Sequence, residues 1–67
     1  MPITLKAARV NAGYTQAEAA KIIGVTVDTL SNWERGISFP NVMQLRVILE
    51  CYSVQYNELV FLPKNNA

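Results

Sequence analysis

Apolar residues recur along this chain at three- and four-residue spacing in short runs, and each run is opened by a polar residue able to cap a helix. Leu5, Ala8 and Ala12 form the first stripe, with Thr4 in front as cap and Gly13 behind as terminator. They predict a helix from Leu5 to about Ala12. Thr15 and Glu18 make the S/T-x-x-E capping box, which starts a second helix at Gln16. That helix runs to about Ile23 with Ala19, Ala20 and Ile23 inward, and the small alanines let a neighbouring helix come close. Gly24 stands where a helix commonly ends on a left-handed residue. Only Val25 and Thr26 follow before a third apolar period opens at Val27, reaching about Arg35 with Leu30 and Trp33 inward.

The loop Gly36-Ile37-Ser38-Phe39-Pro40 leads to Asn41, a good N-cap. A fourth helix from Val42 to about Tyr52 fits, because Val42, Leu45, Ile48, Leu49 and Tyr52 share a broad face. Ser53 breaks the pattern. A fifth, shorter helix is expected from Tyr56 to Val60, with Val54 and Leu59 packing back, while Pro63 and the tail to Ala67 read as frayed. Five short helices without a strand signal predict an all-α orthogonal bundle, built by residues 1–67 as a single domain.

The segment from Thr15 to Gly36 reads TQAEAAKIIGVTVDTLSNWERG, and its short central link forces the second of its helices to leave the first at a steep angle. It resembles the helix-turn-helix of the lambdoid phage repressors and Cro proteins. The resemblance extends from Thr4 to Leu59. It implies the five-helix lambda-repressor-like bundle, sequence-specific binding of double-stranded DNA, and a small phage-type repressor or Cro-like regulator on a pseudo-palindromic operator.

Composition narrows the alternatives. The 51% hydrophobic content supports a real core, although 67 residues lie near the lower limit for one. No apolar run approaches the ~18–20 residues of a membrane span, and the N-terminus lacks a charged-then-apolar signal pattern. A cytoplasmic location and no membrane partner are therefore expected. Cys51 is alone and histidine is absent, so disulfide, zinc and triad chemistry lack their parts. We expect no enzyme, no metal and no cofactor. The net charge of +1 and pI near 7.9 fall short of the pI above ~9 common in nucleic-acid-binding domains. Phosphates would then be held largely by neutral donors and helix N-termini, with two copies on one site.

A recognition helix reads the major groove with its N-terminal half. Here Leu30 belongs to the core stripe, which leaves Val27, Asp28, Ser31 and Asn32 facing out and Thr29 at the margin. In the phage repressors the positions matching Val27, Asp28 and Asn32 contact base edges. An asparagine amide can both donate to and accept from adenine, Val27 can pack on a thymine methyl, and Asp28 can accept from a cytosine amino group. Each also has a plainer role: Asp28 complements the helix dipole, Val27 is a surface apolar residue and Asn32 a solvated polar one. The resemblance gives Gln16 a grip on the DNA backbone and places Thr26, Arg35, Ser38 and Asn41 on the same side. It also implies an ion pair between Arg9 and Glu34, able to meet bidentately.

Two departures from the family stand out. Ile37, Ser38 and Phe39 replace basic loop residues, and Ser53 replaces a frequent glycine. Tyr56, Val60, Phe61 and Leu62 form an apolar cluster, with Val54 and Leu59 before it, that is expected to make a homodimer interface. The alternative is that Phe61 or Leu62 folds back over the fourth helix. Two other functions fit the same motif: an antitoxin acting on its own promoter, and a protein-interaction module that keeps the fold. An anti-repressor or a toxin protein is the corresponding partner.

Overall fold

The computed structural model describes residues 2–61. Four α-helices follow one another, α1 Leu5–Asn11, α2 Gln16–Ile23, α3 Val27–Glu34 and α4 Val42–Tyr52. Each begins where a side-chain oxygen satisfies a backbone N–H that the first turn leaves unpaired. Thr4 accepts from Ala7, Thr15 from Glu18 and Thr26 from Thr29, all at 3.1 Å, and Asn41 accepts from Gln44 at 2.8 Å. At α2 and α4 the bond is returned, Glu18 and Gln44 accepting from the N–H groups of Thr15 and Asn41. The two bonds with Thr15 hold the Glu18 carboxyl below the ordinary glutamate range.

Every helix is followed by a residue in the left-handed region, Gly13, Gly24, Gly36 and Ser53 in turn. The consequence is largest at Gly24, where φ is 89°. The N–H groups of Gly24 and Val25 both donate to the Ala20 carbonyl, at 2.8 and 2.9 Å, which closes α2 and frees the chain to start α3 at Val27. Ser53 does the same at φ 56° without a glycine's freedom, and the Val54 N–H reaches back to the Leu49 carbonyl at 3.1 Å.

Leu5 and Ala8, Ala19 and Ala20, Leu30 and Trp33, Ile48 and Tyr52 give each helix two residues in the buried core. Leu30 and Ile48 are its largest fully buried side chains. The alanines of α2 leave room for their neighbours, as their size requires.

Two expectations need correction. Val42 is not on the packed face of α4: it is 74% exposed, Leu45 a turn later is half-buried, and only Ile48 and Tyr52 enter the core. The fifth helix is a single 3₁₀ turn, Tyr56–Glu58, closed by the Glu58 N–H on the Gln55 carbonyl at 3.0 Å. The chain then extends as β2, Leu59–Val60, and pairs in parallel with β1, Ile3–Thr4, in the register Ile3 to Leu59 and Thr4 to Val60. Five residues are too few to sustain an isolated helix, and the extended segment before α1 supplies the backbone partners. Val54 and Leu59 do pack against the core. The frayed tail expected after Pro63 lies outside the described residues. No helix among those described is long and apolar enough to cross a membrane.

Candidate nucleic-acid interface

Helix α3 has two unlike sides. Leu30, Trp33 and Glu34 are buried, so the 3.6-residue repeat turns Val27, Asp28, Ser31, Asn32 and Arg35 the other way. Val27, Asp28 and Arg35 are exposed, while Ser31 and Asn32 are half-buried. Thr26 caps the helix, and its hydroxyl also lies 2.9 Å from that of Thr29. The Arg35 guanidinium donates to the amide oxygen of Asn32 at 2.8 Å. The sequence reading did not pair these two, although their spacing of three along a helix is the signal for it.

The buried end of α3 is held by a polar cluster that joins three helices. Arg9 of α1 donates through Nε to Glu34 Oε2 at 2.7 Å and through Nη2 to Oε1 at 3.4 Å. Gln16, the first residue of α2, donates its Nε2 to Glu34 Oε1 at 3.0 Å. Arg9 also donates to the Tyr14 carbonyl at 2.8 Å. Both charged residues are only 7% exposed, so the pair is part of the interior rather than the surface. The Gln16 amide carries two hydrogens and Glu34 takes one, which leaves the second for a group outside the protein. The Tyr52 hydroxyl is buried with no hydrogen-bond partner among the described residues. Burial, then the negative charge of Glu34, push its pKa well up, so it stays neutral.

The remaining candidates are placed separately. The Ile37 and Ser38 N–H groups both reach the Asn32 carbonyl, at 2.9 and 3.4 Å, and so fold the loop over the end of α3. Asn41 commits its side-chain oxygen to the start of α4. Among the described residues no hydrogen bond joins Thr26, Asn41 or the Ser38 side chain to the Arg9–Glu34–Gln16 cluster. Tyr56 and Val60 are exposed, whereas Phe61 is half-buried and meets the ring of Phe39 edge-on at 5.9 Å. Leu62 lies outside the described residues. Ile37 and Phe39 of the loop, with Val42, expected inward, and Met43, which the sequence did not mark, add exposed apolar surface. A cleft of about 490 Å³ opens between the ends of α1 and α4, beside Asn11, Tyr14, Cys51 and Ser53; no residue of α2 or α3 lines it.

Two comparisons bear on this arrangement. A family model described as helix-turn-helix matches residues 5–59. The chain is 39% identical over 56 residues to the HTH-type transcriptional regulator ImmR of Bacillus subtilis (strain 168), a match that covers 84% of this chain and 44% of that protein. The chain thus spans less than half the length of this relative. No solved structure matches it. With α2 and α3 joined by the left-handed Gly24 and the family pattern covering all four helices, the chain belongs to the helix-turn-helix family.

Proposed function

We propose that this chain is a sequence-specific double-stranded DNA-binding domain of a transcriptional regulator, with α3 in the major groove. One observation carries the reading: α3 is fixed from behind by the core and by the Arg9–Glu34–Gln16 cluster, while its outer side offers Val27, Asp28, Ser31, Asn32 and Arg35. The name of the Bacillus relative supports it. In this reading Val27, Asp28, Ser31 and Asn32 meet base edges, and Gln16, Thr26, Arg35, Ser38 and Asn41 meet the backbone. Gln16 brings its second amide hydrogen to a phosphate while Arg9 neutralises the carboxylate beside it. Residues 1–67 act as one domain in the cytoplasm, and the regulator is of the small phage-repressor or Cro type. A homodimer assembles on a pseudo-palindromic operator through Tyr56, Val60, Phe61 and Leu62, extended by Phe39.

Selection of duplexes from a randomised pool tests this, followed by salt titration of the winner. Asn32→Ala should cost ~1–3 kcal/mol and relax one position, whereas Gln16→Ala should weaken all sequences alike. Tyr56→Glu, at a side chain 64% exposed, should lower cooperativity on two half-sites while sparing the fold. Failure to enrich any sequence would end the DNA reading. It would favour a protein partner, toxin or anti-repressor, on the apolar surface of Phe39, Val42 and Met43.

A further inference from the structure

We propose that Arg35 is a positioning residue that decides which base Asn32 reads, turning its amide so that guanine is preferred over adenine. This rests on the DNA reading of α3 above. A guanidinium has only N–H donors, so the Asn32 atom 2.8 Å from Arg35 must be the amide oxygen. The amide's direction is therefore set by chemistry. Arg35 follows Asn32 by three positions at the C-terminal end of α3, so the oxygen is the half of the amide taken up within the helix and the NH₂ group is the half with no such partner.

A free asparagine suits adenine because it presents oxygen and NH₂ together. Here the oxygen already accepts a charge-assisted bond, about twice as strong as a neutral one, and turning the amide so that both its groups meet adenine would break it. The group left without a partner is the NH₂ donor. Guanine offers a donor two acceptors, N7 and O6, whereas adenine offers N7 beside an amino group that repels a donor; guanine's partner cytosine also offers an amino donor. Asp28 lies one helical turn before Asn32 and is an acceptor. Donor and acceptor side by side match the edge of a G·C pair, which also gives Asp28 a partner where it otherwise meets only phosphates of its own sign.

The test uses the duplex selected by the parent protein, with each of the four base pairs at the position that Asn32→Ala relaxes. Dissociation constants are measured for the parent, Arg35→Ala and Arg35→Lys, with circular dichroism confirming that each is folded. The parent should prefer guanine to adenine by ~10-fold, the discrimination expected of one well-made base contact. Replacing that guanine with 6-thioguanine, which keeps N7 and weakens the acceptor at position 6, should remove much of the preference without touching the protein. Arg35→Ala should weaken every duplex, because a cation is lost, and should also bring the guanine-to-adenine ratio to one or below, since the freed amide suits adenine. Arg35→Lys should keep the preference, since an ammonium is also only a donor. A parent preference for adenine, an unchanged ratio in Arg35→Ala, or no position relaxed by Asn32→Ala would each overturn the inference while leaving DNA binding intact. A parent that selects no sequence would instead remove the DNA reading itself.

Discussion

Glu34→Ala takes away the acceptor of three hydrogen bonds, two from Arg9 and one from Gln16. The Arg9 guanidinium, in a residue only 7% exposed in the intact protein, then keeps the Tyr14 carbonyl as its partner among the described residues. Had the pair been on the surface, its loss would cost ~0–1 kcal/mol. Removing one member of a buried pair costs about 3–5 kcal/mol, because the other charge stays out of water. At roughly 0.05–0.15 kcal/mol per residue, a chain this short is stable by only about 3–10 kcal/mol. Glu34→Ala should therefore bring the protein close to unfolding, and Arg9→Ala should do nearly as much, since the carboxylate keeps only Gln16. The double variant strands no charge, so its loss should fall below the sum of the two singles by ~0.5–3 kcal/mol. Urea unfolding of the four proteins, followed by far-UV circular dichroism, gives all three differences. Single losses under about 1 kcal/mol, or losses that add to within about 0.5 kcal/mol, would show that the pair does not act as a buried unit.

Ser53→Gly should raise stability by ~0.5–1 kcal/mol, the left-handed strain of ~1–2 kcal/mol being partly offset by glycine's freedom in the unfolded chain. A thermal melt reads this, and a lower midpoint would show that the serine side chain contributes more than its backbone costs. The depressed pKa of Glu18 gives a stability increment present above the ordinary glutamate range and lost as pH falls through the folded-state value. Glu18→Gln should flatten the acid limb of stability against pH; an unchanged limb would mean that the reciprocal bond with Thr15 is not felt in solution.

Much of this was open to a reader of the sequence because it is local. The threonine and asparagine caps, the left-handed positions and the paired core residues depend on neighbours within one helical turn, and they give the four helices to within a residue. Val42 misled because periodicity says which side of a helix is apolar, not how far along its length the partner helices reach. Tyr56 to Val60 misled for a different reason. Its backbone partners are Ile3 and Thr4, at the opposite end of the chain, and no spacing rule within the segment refers to them. Arg9 and Glu34 stand twenty-five positions apart, and only the family resemblance brought them together. That Gln16 joins them could not be read from its position alone. The Asn32–Arg35 bond was within reach of the helical repeat, but each residue had been given to a different part of the DNA and so was considered alone.

The pairing of Ile3–Thr4 with Leu59–Val60 closes all four helices into one loop of chain. Its four helices can form from contacts a few residues apart, but this last junction must draw together residues as far apart in sequence as Ile3 and Leu59. An entropic cost of roughly 3.5 kcal/mol, beyond a constant, attaches to closing a flexible loop of that length. The clasp therefore gains most once the helices have already shortened the path between its halves, and it belongs late in the order of assembly. Its position also governs how the molecule meets mechanical load. A pull applied through Ile3 and Val60 falls first on two short strands lying side by side, and the helices behind them feel it only after those strands part.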